Sequence, residues 1–572
     1  MIFNRQSRRN AIKLEGERSS SLDLARGRLV LISAFFALAY IFLLARAVDL
    51  TVIQGGLNRI SGENFTQIQE GEPSVMRANI IDRNGVLLAT TLKTASLYAD
   101  PHLISDPQAT AQGLVKIFPD LSFGDILQKL QSNKRFIWIK RSIMPEDQSA
   151  VLELGQPGLE FMYEDKRVYP QGALTSHLVG YTDVDNKGQA GIERSFDKIL
   201  AEGQTLALTL DVRLQHALRR EIKKAVDDFG ARGAAGVIMD VTNGEVLAGV
   251  SLPDFDPQNA GNADEKSVFN SLTLGVYEMG SVFKIFSTAA LFEVKDVPMG
   301  ATFDVREPIK RGRFTINDYH AEERILTLPE VFMYSSNIGS AMMGEAVGTE
   351  ALKGFYEDLG LLTPLEFELR EISNPIVPHP WRDINTLTAS YGHGVATTPL
   401  QMTAAVSSIV NGGVLVKPTL VVNENASETP QKRDEIRVVS PQTAHRIRQL
   451  LRLVVTDGTG TKADVPGYSV GGKTGTAEKN INGAYDHNRL VSSFMGVFPV
   501  DAPRYAVFIM VDEPKGNKQS FGYATGGWVG APTMARVVVS MASILGLQPE
   551  TVTAEQDLSA SLKHYISAKG HD

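Results

Sequence analysis

The chain has no cysteine among its 572 residues. That excludes a disulfide framework and any thiolate-held zinc, and it removes the usual clue to redox compartment. Its ten histidines form no H-E-x-x-H pair, so helix-borne metalloprotease chemistry has no ligands here. We expect neither metal nor cofactor. Positive charge is also in deficit: with 57 Lys and Arg against 65 Asp and Glu, the net charge of −8 and an isoelectric point near 5.8 oppose nonspecific nucleic-acid binding, which needs a basic face to displace counterions. Internal repeats and long low-complexity tracts are absent. What remains is 43% apolar and 21% charged, the balance of a folded protein, over a length that admits about three or four units.

Only one long apolar run occurs. Residues Leu29 to Ala45 carry no charge, and with Ala47 to Leu50 they approach the ~20 residues needed to cross a bilayer. The preceding tail holds seven basic residues (Arg5, Arg8, Arg9, Lys13, Arg18, Arg26, Arg28) against the acids Glu15, Glu17 and Asp23. The positive-inside rule then keeps residues 1–28 cytoplasmic, makes 29–50 a single transmembrane helix, and puts everything after residue 50 outside, in the periplasm. "ARA" at 45–47 has the form of a signal-peptide cleavage site, but the run is longer than the ~7–15 residues of a signal core. We therefore expect an anchor.

Beyond it, residues 51–205 mix β-like pieces with a helical patch near 108–131, punctuated by turn signals such as Asn84-Gly85. Residues 233–253 read as two strands around an Asn243-Gly244 hairpin. A largely helical stretch from about 267 to 455 comes next, and strand patterns return at 468–478, 489–498 and 504–512. Strands from both ends of the region would share one antiparallel sheet, an α/β (α+β) arrangement rather than an alternating parallel one. This decides the meaning of "GYSVGGKT" at 467–474, which satisfies the nucleotide-binding pattern G-x-x-x-x-G-K-[ST]. A phosphate loop must open a helix, because the phosphate sits on N-terminal helix N–H groups. Here the next residues are "GTAEKNINGAYDHN", with an Asn482-Gly483 turn signal, which reads as a strand entering a hairpin. ATP is not expected as a ligand.

Chemistry is carried by three short motifs. In "YEMGSVFKIFSTAAL", Ser281 and Lys284 stand three residues apart, which on a helix puts them on one face within hydrogen-bonding reach. A serine hydroxyl needs a base, and lysine can serve only where burial and positive neighbours depress its pKa. Val282, Phe283, Ile285 and Phe286 supply that apolar setting. The spacing alone is weak evidence, since Ser195 and Lys198 repeat it. Ser281 is distinguished by the motifs downstream of it, Ser335-Ser336-Asn337 and then Lys473-Thr474-Gly475. S-x-x-K, S-x-N and K-T-G in that order form the serine acyl-transfer set of penicillin-interacting enzymes.

With these motifs the chain resembles the class B penicillin-binding proteins, monofunctional peptidoglycan D,D-transpeptidases, over nearly its whole length. "RANIIDRNG" (77–85), "RVYPQGALTSHLVGY" (167–181) and "GQAGIERSFD" (188–197) are similar to the pedestal motifs of that class, which makes Ser195 and Lys198 structural. "SYGHGVATTPLQ" (390–401) and "YATGGWVGAP" (523–532) match its catalytic domain, while "YEMGS" and "INDYH" (316–320) look more like the septal penicillin-binding protein 3 than the elongation-specific penicillin-binding protein 2. The resemblance implies an elongated α+β pedestal over 51–205, a transpeptidase domain over 206–549 with a central antiparallel sheet flanked by helices, and a frayed tail over 550–572. It also implies roles. Ser281 attacks the bond between two terminal D-alanines of a stem peptide, and Lys284 takes its proton. Ser335 relays a proton to the leaving amine, and Asn337 binds Lys284 and the substrate amide. Lys473, Thr474 and Thr476 face the substrate carboxylate beside Gly475, and the backbone N–H groups of Ser281 and Thr476 form the oxyanion hole. Implied partners are stem peptides, β-lactams as covalent inhibitors, the membrane, other division proteins, and a polytopic lipid-II polymerase of the shape, elongation and division class.

Two departures stand out. Met279 replaces a proline common before the Gly-Ser of the nucleophile, which loosens that turn, and Ala78 replaces a pedestal glycine. A β-lactamase would share the triad but needs a deacylating glutamate; Glu366-Phe-Glu368-Leu369 suggests one, yet Arg370 stands where that pattern has asparagine. A penicillin sensor would bring further spans and a metalloprotease motif, and His393 reads as structural.

Overall fold

The computed structural model describes residues 34–44, 76–423, 436–481, 484–550 and 553–566. Residues 34–44 are helical and exposed, and the rest of the predicted span 29–50 lies outside the described residues. Among the described residues no helix is long and apolar enough to cross a membrane. Residues Val75–Asp572 form one compact unit.

Its first part carries strands β1 (Leu87–Ala99), β2 (Ile137–Ile143) and β3 (Leu159–Val168), with β1 paired antiparallel to both others. The three pedestal motifs meet at a buried ion cluster. Arg77 Nε and Arg167 Nε each donate to Glu193, to Oε2 and Oε1 respectively, at 2.7 Å, and Arg77 also reaches Asp197 Oδ1 at 2.7 Å. Glu193 is fully buried, so both of its oxygens depend on these guanidinium groups. Asp82 then ties the motif carrying Asn84-Gly85 to the next region. Its Oδ1 accepts from Asn84 and Val86 N–H, and its Oδ2 from Val212 N–H at 3.1 Å.

Val212 opens α1 (Val212–Asp228), capped by Asp211, whose side chain accepts from Arg213 N–H. The central sheet is built from β4 (Gly233–Asp240), β5 (Val246–Leu252), β6 (Gly471–Ile481), β7 (Ala484–Phe498) and β8 (Tyr505–Asp512). Its order is β6-β7-β8-β4-β5, antiparallel throughout, so strands from both ends of the region enclose the helical middle, as the sequence pattern predicts. The Asn482-Gly483 turn itself lies outside the described residues, but Ile481 pairs with Ala484 across it.

Side chains alternate between two cores because strand period is two. Ala234 and Ile238 face α1 and α7 (Gly530–Leu545), together with Phe494, Val507 and Ile509. Val237 and Met239 face the other way with Met495 and Phe508, toward α2 (Lys284–Lys295), α5 (Pro399–Val410) and α6 (Pro441–Thr456). Both faces are covered, so β4 is buried at all eight positions and reads as a continuous apolar run. Between α2 and α5 lie α3 (Leu328–Tyr334), started by a Thr327–Glu330 capping box, and α4 (Asn337–Val347).

The expected fraying of 550–572 needs correction where the residues are described. Over 553–566 the chain packs down: Leu562 and Ser559 are buried, Asp557 accepts from Arg452 Nε at 2.8 Å, and the Tyr565 carbonyl accepts from Thr327 Oγ1 at 3.0 Å. A largely polar composition concealed this, because Leu562, with the half-buried Leu558, Tyr565 and Ile566 and paired polar groups, suffices to dock a short segment. The buried ion cluster gives a direct test: Glu193→Ala leaves two buried guanidinium groups without their carboxylate and should cost about 3–5 kcal/mol in urea unfolding.

Candidate active site

Residues Gly280–Phe283 form a tight turn that runs straight into α2, whose first residue is Lys284. Gly280 has φ +53°, and a Cβ there would fall 2.5 Å from the Thr476 carbonyl oxygen. Gly475 answers it: a Cβ at that position would fall 2.6 Å from the Met279 carbonyl oxygen. The backbones of the Ser281 turn and of β6 are therefore in direct contact, and glycine is required on both sides. The loosening expected from Met279 is offset by burial, since that side chain is in the core.

Lys284 is fully buried among Val282, Phe283, Ile285 and Phe286. Its ammonium donates to Asn337 Oδ1 at 2.8 Å, to Ser335 Oγ at 3.1 Å, and to the Ser335 carbonyl. These bonds go to the S-x-N segment rather than to Ser281 Oγ, a difference from the sequence expectation. Catalytic contacts in an unliganded site are commonly longer than in the reacting complex, so the three-residue spacing keeps its meaning. Burial pushes Lys284 well below the ordinary lysine range, the charge of Lys473 pushes it further, and Asp318 opposes both.

Lys473 reaches the same place from β6. It is fully buried, donates to Ser335 Oγ at 2.9 Å, and is lowered by burial to about 7. One serine oxygen thus lies between two buried amines. At the roughly 6 Å separation these two bonds permit, two full charges would repel by about 3 kcal/mol at an effective dielectric of about 20. The partners of both groups are hydroxyl, amide and carbonyl oxygens, with no carboxylate among them to compensate. The pair favours one proton over two.

Ser335 holds this position by adopting φ +64° at the C-terminus of α3, a left-handed conformation uncommon for a residue with a side chain. Its conformation aims both carbonyl and hydroxyl at Lys284. The strain is offset next door, where Ser336 caps α4 and Asp318 locks the cap. Asp318 Oδ2 accepts from Ser336 Oγ at 2.7 Å, and its Oδ1 accepts from the N–H groups of Asn337 and, at 3.0 Å, Ile338. Asn337 Nδ2 donates to the Asn317 carbonyl at 3.0 Å, which fixes the amide so that its oxygen faces Lys284.

Thr474 and Thr476 are set differently. Thr474 is buried and shares a 2.8 Å hydrogen bond with Thr459 Oγ1. Thr476 Oγ1 accepts the Gly526 N–H at 3.0 Å, which leaves its own proton free to donate outward. Among the described residues β6 is an edge strand, so on its outer side the main-chain groups of this region have no strand partner there.

The structure thus joins Lys284 to Ser335 and Asn337 and Lys473 to Ser335, and lays the Ser281 turn against Gly475 and Thr476. Ser195 and Lys198 stay apart from them; Lys198 is exposed and pairs with Glu202 at 3.8 Å. Glu366 pairs with Lys417, and Glu368 accepts from Leu420 N–H at 3.2 Å, so neither faces the site. His393 is lowered to about 4 by burial and stacks on Tyr485 at 5.4 Å, in keeping with a structural residue. K-T-G continues as strand, not helix, which removes the phosphate-loop reading. Sequence reasoning passed over Asp318. It stands in "INDYH", but nothing in its spacing links it to Ser336, eighteen residues on; only the fold does.

Comparison with known proteins agrees with this geometry. Residues 234–537 match the penicillin binding protein transpeptidase domain, and residues 73–205 the penicillin-binding protein dimerisation domain. The chain is 38% identical to the probable peptidoglycan D,D-transpeptidase FtsI of Caulobacter vibrioides, covering 92% of this chain and 90% of that protein. It is 30% identical to the probable peptidoglycan D,D-transpeptidase PenA of Neisseria gonorrhoeae, covering 92% and 94%. The crystal structure of penicillin binding protein 3 from Mycobacterium tuberculosis, complexed with ampicillin, superposes with a TM-score of 0.68 at 27% identity, covering 85% of this chain and 98% of that one. Motif order, sheet topology and sequence identity converge: the chain belongs to the penicillin-binding protein transpeptidase family.

Proposed function

We propose that this protein is a septal peptidoglycan D,D-transpeptidase that works through a Ser281 acyl-enzyme and is acylated by β-lactams. The observation that carries the reading is the Ser335 hydroxyl held between Lys284 and Lys473. A protonated lysine offers three donors, and Lys284 uses three. Its neutral form keeps two donors and gains a lone pair, which can take the proton of Ser281 as Oγ attacks the carbonyl between two D-alanines. Lys284, now protonated, donates to Ser335 Oγ, and Ser335 passes its own hydroxyl proton to the leaving D-alanine amine as it takes the one from Lys284, while Lys473 donates to the same oxygen. Backbone N–H groups of Ser281 and Thr476 stabilise the oxyanion, each worth about 3–4 kcal/mol. The amine of a second stem peptide attacks the ester, displaces Ser281 and completes the cross-link. Lys473 and the free Thr476 proton attract the substrate carboxylate, with Thr474 and Gly475 shaping that wall, and the open edge of β6 offers main-chain pairing to an extended peptide.

Support for the septal branch comes from "YEMGS" and "INDYH" and from FtsI and penicillin binding protein 3 relatives. The uncharged run at 29–45 and its basic flank support a membrane anchor with the catalytic part in the periplasm, beside a polytopic lipid-II polymerase and other division proteins.

Labelling of membranes with a fluorescent penicillin should vanish in Ser281→Ala and persist in Ser195→Ala; the reverse pattern would overturn the assignment. Because the Lys284 pKa is depressed, its free base is present above that pKa and lost as pH falls through it. Acylation should therefore run at neutral pH, well below the ordinary lysine value of about 10.4, and decline in acid. Lys284→Arg, permanently protonated, should lose at least about 10²-fold in acylation rate. Asp318 raises the Lys284 pKa, so Asp318→Asn should move the acid limb of that profile to lower pH. Loss of the α4 cap should also cost about 1 kcal/mol in thermal unfolding.

A further inference from the structure

The loop between β8 and α7 displays three aromatic rings at the rim of the site. Phe521 is 78% exposed and Tyr523 46% exposed, and Trp528 lies between them, in near-parallel contact with Tyr523 (5.8 Å between centroids, 12° between planes) and edge-on to Phe521 at 5.6 Å. The Lys462 ammonium sits 4.1 Å from the Trp528 ring centre. Burying such rings is worth about 1.5–3 kcal/mol each, and this loop forgoes much of that gain. It is nevertheless well anchored. Asn517 Nδ2 donates to the Asp228 carbonyl at 3.0 Å, the Ser520 hydroxyl accepts from Asn517 N–H at 3.0 Å, and Ser492 Oγ donates to the Ala524 carbonyl. Phe521 moreover has φ +52°, a left-handed conformation costly for a bulky residue, adopted without burying the ring. Backbone strain spent on holding an aromatic side chain in water points to a ligand.

The chemistry and position of the patch restrict that ligand. Exposed polar side chains, Lys462, Lys518 and Gln519, flank the rings, so the surface suits a molecule with apolar faces and polar edges rather than an apolar helix. It is continuous with the catalytic wall. Gly526 donates to Thr476 Oγ1, a Cβ on Gly526 would fall 2.5 Å from the Gly475 carbonyl oxygen, and one on Gly527 would fall 3.9 Å from Thr474 Cγ2. Trp528 is two residues from Gly526, about 7 Å of chain at most. A stem peptide bound along β6 is covalently attached to a polysaccharide, whose pyranose rings have C–H faces that stack on aromatics and hydroxyl and acetamido edges that hydrogen-bond. We propose that Phe521, Tyr523 and Trp528 form a saccharide-binding platform for the glycan strand that carries the stem peptide. The proposal rests on the transpeptidase reading for the identity of the sugar.

The test uses the full-length chain in detergent and the double variant Phe521→Ser/Tyr523→Ser, whose replaced rings are exposed. Peptide-free glycan strands of alternating N-acetylglucosamine and N-acetylmuramic acid are titrated against intrinsic tryptophan fluorescence, and penicillin acylation is measured alongside. The wild type should bind the glycan, the variant should bind it about tenfold more weakly or worse, and acylation should be equal in the two. Absent glycan binding by the wild type, or equal binding by the variant, would overturn the platform. So would a parallel loss of acylation in the variant, which would make the rings supports of the site. Failure of the wild type to be acylated at all would instead count against the transpeptidase reading, with glycan binding still measured independently.

Discussion

The constraint on which the site depends is the sharing of one serine hydroxyl by two buried amines. Lys284 and Lys473 approach Ser335 Oγ at 3.1 Å and 2.9 Å with no carboxylate among their hydrogen-bond partners. Left in water, both would be charged. Burial, aided at Lys284 by mutual repulsion, lowers them. The surrounding structure imposes that burial: the apolar first turn of α2 encloses one amine, and the edge strand β6 of the five-stranded sheet delivers the other.

Such an arrangement needs a rigid frame because neither amine is held by an ion pair's depth of attraction. The frame is built from backbone contacts and caps. Gly280 and Gly475 let the Ser281 turn touch β6, Asp318 fixes the start of α4, and the Thr327–Glu330 box fixes the start of α3. Arg452 contributes from behind, donating to the Val470 carbonyl just before β6 at 2.8 Å while paired with Asp464 and with Asp557 of the docked C-terminal segment. The same segment meets the cap of α3 at Thr327. Each element that carries a reacting group is thereby held at the end nearest to it.

Much of this architecture is legible in the chain. Short apolar runs bounded by turn signals mark the sheet strands, continuous where both faces are covered, and an asparagine-glycine pair marks the β4–β5 hairpin, because these are local effects of backbone sterics and burial. The K-T-G motif separates from a phosphate loop on the same grounds, since the residues after it lack helical spacing. Ser281, Lys284, Ser335, Asn337 and Lys473 are legible through the order of three motifs. Asp318 is not, because an N-cap supplied from another segment leaves no periodicity. The docked segment at 553–566 escapes notice for a related reason: its composition is largely polar, and its attachment rests on buried Leu562, on the half-buried Leu558, Tyr565 and Ile566, and on pairings with residues about 100 or more positions away.

The linear sequence by itself determined which reactive groups the protein has, their order, and the strand and helix patterns that carry them, because residue identity and short-range spacing are written in the chain. Only the tertiary structure decided their states. Whether Lys284 is a base depends on a dielectric set by residues from several helices. Whether Ser335 can join two amines depends on a left-handed turn held by neighbours that Asp318 fixes from a separate loop. Whether Ser195-Phe-Asp-Lys198 is chemistry or coincidence depends on Lys198 facing solvent. Protonation and geometry are properties of surroundings, and surroundings are assembled from residues far apart in the chain.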